Sequence, residues 1–244
     1  MTHLARKIEG VTSAAGNVFE SILADIVRGV YPPKSRLPAE RELARLLGAS
    51  RPTVREALSR LGEWNLLEAR RGSGIVVRDQ REWCIEVLPA VLRYGKDLDP
   101  KQLRQMVSDL LALRRRVILA VLELVAHRID ATKLSAARDG IKRAWDARHD
   151  GARFAEEDFF VMRSIVEAAD FAPGVWMLNR MAGVYLDIAR TVSGTIPPPA
   201  EYVLAYDQVL DALEDGQAER AIRLESEYLE NHDNRLLSFL GESS

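Results

Sequence analysis

Two residues, Gly48 and Ala49, constrain this chain more than any others. AERELARLLG reads as a helix with Pro38 in its first turn, ending at Gly48, and a second amphipathic stretch begins at once in SRPTVREALSRL. One helix must stop and another start within that distance. Ser50 is suited to cap the second helix, so Arg51 and Pro52 fall in its first turn, where proline loses no needed hydrogen bond. Deeper in the helix the same proline would cost about 3 kcal/mol. Val54, Leu58 and Leu61 form its buried stripe and leave Arg51, Thr53 and Arg55 clustered at the exposed beginning.

The flanks complete a small domain. Upstream, NVFESILADIVRGV sets Val18, Ile22, Ile26 and Val27 on one face of a helix from Asn17, with Gly29 as its stop, and YPPKSRLP is a turn-rich link. Downstream, LLEARRGSGIVVRD holds two short apolar runs around Arg71-Gly72-Ser73-Gly74, the pattern of a β-hairpin with a charged turn. Three helices and a hairpin, with so tight a turn between the second and third helices, predict a winged helix-turn-helix over residues 1–79.

Residues 80–244 form a second domain, helical almost throughout. Asp99-Pro100, Gly151, Pro173-Gly174, Pro197-Pro198-Pro199 and Gly216 divide it into about six or seven segments, and QLRQMVSDLLALRRRVILAVLELVAHRI reads as the central helix of a bundle. The fold class is therefore mainly α, a winged helix followed by an all-α bundle.

Charge is divided the same way. Residues 1–78 carry 13 Lys and Arg against 8 Asp and Glu, whereas the remainder carries 21 against 28. A basic head on an acidic body suits a nucleic-acid module joined to something that is not one. No apolar run approaches the roughly 20 residues of a membrane span, the N-terminus lacks a secretory pattern, and the one cysteine, Cys84, reads as a small core residue; cytoplasmic localisation and no membrane partner are expected.

A helix N-terminus offers unpaired N–H groups to phosphate, and arginine can grip phosphate or the O6/N7 edge of guanine. Arg51 and Arg55 share a helix face, Ser50 and Thr53 add hydroxyl donors, and Arg70 and Arg71 precede glycines that let a wing tip approach a groove. A solvated helix start would share the first spacing, but the basic hairpin favours DNA. No nucleophile and base can be paired, and the run Glu156-Glu157-Asp158 points in three directions on a helix, so an enzyme is not expected.

RLPAERELARLLGASRPTVREALSRL followed by LLEARRGSGIVV closely resembles the N-terminal domain of the GntR family of bacterial transcription regulators over roughly residues 17–78. The resemblance implies that Arg41, Ser50, Arg51, Pro52, Thr53, Arg55, Arg71 and Gly72 lie at the DNA interface. Lys34 and Ile75 depart from the family pattern, away from those positions.

Residues 82–240 resemble the effector domain of the FadR subgroup, notably in FAEEDFFVMRSIVEAADFAP and WMLNRMAGVYLDIAR. Many members hold a divalent metal with one Asp and three His. Asp158 matches the Asp, but Met162, Tyr206 and Tyr228 stand at the histidine positions, so no metal or other cofactor is expected unless His232, one turn away, re-forms a ligand. The resemblance then leans toward the fatty-acid-responsive members, which bind long-chain acyl-CoA without a metal; a small organic acid or sugar acid is the alternative effector. Arg114 matches an arginine near the effector site, or is simply exposed in its arginine run. Trp176, Asn179 and Tyr185 line the same cavity, or belong to the core. The expected partners are a palindromic operator in double-stranded DNA, the effector and a second copy in a homodimer.

Overall fold

The computed structural model of the chain describes residues 13–72, 74–95, 99–192 and 198–242; Ser73 of the wing turn and Pro197 of the triple proline lie outside them. Two compact units are present, Met1–Asp97 and Leu98–Ser244.

The first unit begins with α1 (Ala14–Val27), which starts before Asn17 because Ser13 Oγ accepts a hydrogen bond from the Gly16 N–H at 3.1 Å. In α2 (Glu40–Leu46) the cap is Ala39, whose carbonyl accepts from both Glu42 and Leu43 N–H groups. Pro38 therefore precedes the cap and does not occupy the first turn, as the sequence had suggested. Gly48 at φ +60° and the Ala49 N–H donating to Ala44 O at 2.9 Å end α2 within one turn. Then α3 (Arg51–Glu63) starts at the Ser50 cap with Pro52 in its first turn.

Val54 and Leu61, fully buried on α3, pack with Phe19, Ile22 and Leu23 of α1 and Leu43 of α2. Each such side chain contributes about 1.5–3 kcal/mol by leaving water. The wing pairs β1 (Leu67–Arg70) with β2 (Gly74–Val77) in antiparallel register, Leu67 opposite Val77 and Arg70 opposite Gly74. The stretch expected as a plain link adds a third edge to it: Lys34 N–H donates to Val77 O at 2.8 Å, Val77 N–H to Ser35 O at 3.0 Å and Leu37 N–H to Ile75 O at 2.9 Å.

The chain stays with this unit beyond residue 79, where the sequence had suggested a division. Two 3-10 turns, Gln80–Glu82 and Ile85–Val87, lead into α4 (Leu88–Tyr94), and Trp83, Val87, Ala90, Val91 and Tyr94 join the same core. Tyr94 Oη donates to Glu20 of α1 at 2.8 Å. Periodicity identifies α4 as a helix but does not say which core it completes.

The second unit comprises α5 (Pro100–Val125), α6 (Ser135–Asp146), α7 (Gly151–Ala168), α8 (Ala172–Val192), α9 (Tyr202–Glu214) and α10 (Ala218–Glu242). α6 packs on α7 and α9, α10 on α9 and α5, and α7 on α8, around a core that includes Val125, Leu134, Ile141, Val161, Ile165 and Leu210. Several presumed breakers open helices instead. Asp99 and Asp150 cap α5 and α7 just before Pro100 and Gly151, and Pro173-Gly174 lies in the first turn of α8. Among the described residues no helix is long and apolar enough to cross a membrane.

Candidate functional site

The first candidate site is the exposed start of α3 with the wing. Ser50 Oγ accepts from the Thr53 N–H at 3.3 Å and lies 2.7 Å from Thr53 Oγ1, so the two hydroxyls form one cap. Arg51 and Pro52 stand exposed beside it, as does Arg41 on α2, and neither Arg41 nor Arg51 has an ion-pair partner among the described residues.

Arg55 differs, because its Nε and Nη2 donate to both oxygens of Glu40 at 3.3 and 2.8 Å, and that hydrogen bond holds the Glu40 carboxyl below its ordinary range. Glu40 thus belongs to this face, and sequence reasoning passed over it; its place in the first turn of α2 was the available signal. On the wing, Arg70 pairs with Glu68 of its own strand, whereas Arg71 and Gly72 are exposed at the tip. Gly72 needs its missing Cβ at φ +74°, and Arg36 Nη2 donates to its carbonyl at 3.2 Å, tying the tip to the added edge. Arg36 too was overlooked.

The second candidate site is a buried polar cluster that five helices of the second unit build. α5 supplies Arg114, α7 Asp158, α8 Tyr185, α9 Tyr202 and Tyr206, and α10 Glu225, Tyr228, His232 and Asp233. Spacings of three and four residues put Glu225, Tyr228 and His232 on one face of α10 and Tyr202 and Tyr206 on one face of α9, with Asp233 about 100° round from His232. The Tyr202 and Tyr206 rings lie 5.0 Å apart, Tyr206 and Tyr228 5.2 Å, and Tyr228 stacks with His232 at 6.1 Å.

Tyr185 Oη donates to Asp158 Oδ2 at 2.8 Å, and Arg114 Nη2 donates to Asp233 Oδ1 at 2.9 Å. Of the two readings open for Arg114, the structure takes the inward one. Arg115 lies 3.8 Å from Asp233, and Arg116 is exposed.

Burial governs the electrostatics. It pushes Asp158 up, although Tyr185, Tyr202, Arg114 and Tyr206 counteract it. Burial and the neighbouring Asp158 charge raise Glu225 to about 8, against the pull of Arg114, so this carboxyl is mostly protonated at neutral pH. Burial, reinforced by Arg114 and Arg235, lowers His232 to about 3 and keeps its imidazole neutral. The phenols of Tyr185, Tyr202, Tyr206 and Tyr228 are all raised, primarily by burial. Glu225 Oε1, Arg114 Nε and Asp233 Oδ2 are buried without a hydrogen-bond partner among the described residues, a concentration of unsatisfied polar atoms that suits capture of a polar ligand group. A surface depression of about 170 Å³ lined by Leu204, Gln208, Leu224, Glu227, Asn231 and Tyr228 shares Tyr228 with the cluster.

These groups do not fit a divalent metal. Asp158 is faced by phenols and a guanidinium, which are hydrogen-bond donors and a cation where a metal requires lone pairs. Met162 packs beside Val121, Val166 and Leu178 in a separate apolar cluster. Trp176 and Asn179 are corrections to the expected cavity lining, since both are exposed, Trp176 by 68%. At about 100° per residue they lie roughly 180° and 120° around α8 from Tyr185, so one helix cannot turn all three inward.

A winged helix with a basic recognition surface, joined to an all-α unit with a polar interior site, defines a ligand-controlled transcription regulator. Residues 14–77 match the family described as "Bacterial regulatory proteins, gntR family", and residues 109–231 match the FCD domain. The chain belongs to the GntR family, as a DNA-binding regulator with an effector-binding FCD domain.

It is 31% identical over 229 residues to the HTH-type transcriptional regulator Mce2R of Mycobacterium tuberculosis, covering 93% of both chains. It is 30% identical over 223 residues to the fatty acid metabolism regulator protein of Klebsiella pneumoniae subsp. pneumoniae, covering 91% of this chain and 89% of that one. The Listeria monocytogenes structure titled "Lar controls the expression of the Listeria monocytogenes agr system and mediates virulence" shares the fold, with a TM-score of 0.58 at 17% identity over 96% of this chain and 100% of that one. The family and its named relatives are transcription regulators, not enzymes.

Proposed function

We propose that this regulator responds to a long-chain fatty acyl-CoA and acts in the cytoplasm as a homodimer on a palindromic operator. The observation that carries the effector reading is the inward Arg114, paired with Asp233 in the cluster that also holds Tyr206 and Tyr228, which stand at two of the three positions where metal-holding relatives are expected to carry histidine. Similarity to fatty acid metabolism regulators supports it. Arg114 offers a cation and the tyrosines offer hydroxyls to the polar part of the effector, and the apolar side of the depression at Leu204 and Leu224 faces an acyl chain. A depression of about 170 Å³ is too small for a whole acyl-CoA, so binding requires α9 and α10 to shift. The effector controls operator affinity only insofar as it favours one arrangement, by a few kcal/mol.

On DNA, Arg41, Arg51, Arg71 and Gly72 make the first contacts with Ser50 and Thr53 beside them, while Arg55 and Arg70 are exchanged from Glu40 and Glu68 to phosphate. Titration calorimetry with palmitoyl-CoA on EDTA-treated protein gives a saturable heat that Arg114→Ala abolishes. No heat, or heat lost with EDTA, overturns this reading. The small volume of the depression favours a small organic acid or sugar acid as the second reading, for which operator release by such acids and not by palmitoyl-CoA is the deciding result.

A further inference from the structure

The buried cluster leaves a particular set of hydrogen-bonding atoms open. Asp158 is already supplied with donors, because the phenols of Tyr185, Tyr202 and Tyr206 turn toward it. Asp233 is only half supplied: its Oδ1 accepts from Arg114 Nη2 at 2.9 Å, while its Oδ2 has no hydrogen-bond partner among the described residues. Arg114 Nε is an open donor in the same ion pair, and Glu225 Oε1 is the third open atom. Glu225 is 1% and Asp233 5% exposed, so open atoms here are costly until a ligand meets them.

Charge narrows the ligand group further. Arg114 faces Asp233, Arg115 stands 3.8 Å from Asp233 and 3.7 Å from Glu230, and Arg235 pairs with Glu201 at 2.9 Å. Each of these cations already meets a carboxylate, and Asp158 is a further acid among them. A ligand carboxylate brought to Arg114 adds a negative charge where no cation is unmatched, and it has no hydrogen to give Asp233 Oδ2. A neutral group that both accepts and donates meets all three open atoms. Its oxygen takes hydrogen bonds from Arg114 Nε and the protonated carboxyl of Glu225, and its N–H or O–H goes to Asp233 Oδ2. Acyl thioesters and free acids differ in this respect, since the pantetheine arm of an acyl-CoA carries amides and a hydroxyl.

We propose that Asp233 and Glu225 are the specificity-determining residues of the effector site. With Arg114 they bind the neutral pantetheine arm of an acyl thioester and reject the carboxylate of a free fatty acid or other organic acid. The proposal rests on the acyl-CoA reading above and names the part of the effector that the cluster recognises. Arg114 alone would favour acids; Asp233 occupies its charge and offers an acceptor, which reverses the preference.

Titration calorimetry of the EDTA-treated full chain at neutral pH tests this with palmitoyl-CoA, palmitate and S-palmitoyl-pantetheine, which lacks the nucleotide. S-palmitoyl-pantetheine binds within about tenfold of palmitoyl-CoA, and palmitate binds at least ~100-fold more weakly. Asp233→Asn removes the charge and adds a donor, so palmitate gains affinity while both thioesters lose it, and the gap narrows to about tenfold. Glu225→Leu removes a donor without removing a charge, and weakens the thioesters about tenfold while leaving palmitate within about threefold. Circular dichroism checks that both variants fold, and a merely structural effect would weaken all three ligands together. Palmitate binding wild type as tightly as S-palmitoyl-pantetheine, or either variant leaving the ratio of thioester to palmitate unchanged, overturns the assignment while the acyl-CoA reading stands. S-palmitoyl-pantetheine failing to bind where palmitoyl-CoA does overturns it as well, since the nucleotide then carries recognition. No heat with palmitoyl-CoA overturns the acyl-CoA reading and this assignment with it.

Discussion

Glu225→Gln tests the buried cluster by its effect on stability. Glu225 is 1% exposed, its carboxyl is raised from an ordinary 4.5 to about 8, and burial is the first cause, followed by Asp158. Because the folded value lies above the unfolded one, this group's contribution is fully present below pH 4.5 and is lost as pH rises toward 8. Above pH 8 the accumulated loss is on the order of 5 kcal/mol, and about 2–3 kcal/mol of it falls between pH 6 and 9.

Gln keeps the shape and a hydrogen-bonding head but has no proton to lose. Thermal unfolding by circular dichroism should therefore show the second unit of the wild type losing roughly 5–10 °C more than Glu225→Gln between pH 6 and pH 9. Asp233 remains in both proteins and does not enter the Glu225 shift, so its titration cancels, whereas Asp158 interacts with Glu225 and its response belongs to the difference measured. Parallel profiles for the two proteins across that range would refute a buried, protonated Glu225.

Three further outcomes are expected. Arg51→Ala weakens operator binding in fluorescence anisotropy by about 1–3 kcal/mol, with relaxed specificity if it reads guanine or a shallower salt slope if it holds phosphate; unchanged binding contradicts both. Glu40→Gln removes the partner of Arg55 and an anion from the DNA face, so affinity for random-sequence DNA rises and discrimination of the operator falls; the same assay showing neither would exclude a gating role for the pair. Gly174→Ala places a Cβ 2.5 Å from Phe171 Cδ1 and 3.0 Å from Val166 Cγ1, a clash at a buried helix start that should cost about 1–3 kcal/mol in denaturant unfolding, and an unchanged midpoint would show that Phe171 yields freely.

The winged helix was legible because its signals are local. The Ser50 cap, Pro52, the left-handed Gly48 and the glycine-bearing hairpin each act within a few residues, through hydrogen bonds and dihedrals that depend little on the rest of the chain. The division of the chain was less legible, because α4 looks alike whichever core it joins, and only its packing on α1 assigned it. Pro173-Gly174 misled as a breaker because proline and glycine serve equally in a first turn, and the Gly174 contacts that demand glycine are with residues brought near by folding.

What the sequence by itself determined is the set of helices, the winged helix-turn-helix and the residue types that the second unit gathers into its buried cluster. Only the tertiary structure decided which members of a charged or aromatic run face inward. Arg114, Arg115 and Arg116 are chemically identical neighbours, yet α10 turns the first toward Asp233 and leaves the third on the surface. Tyr185 reaches Asp158, whereas Trp176 on the same helix faces solvent. Glu225, which carries no motif, is buried where Asp158, Arg114 and Tyr206 approach from other helices and Tyr228 lies beside it on its own. Periodicity ranks positions around one helix axis, but the direction of that axis relative to its neighbours is set by packing the whole core, and no local stretch encodes it.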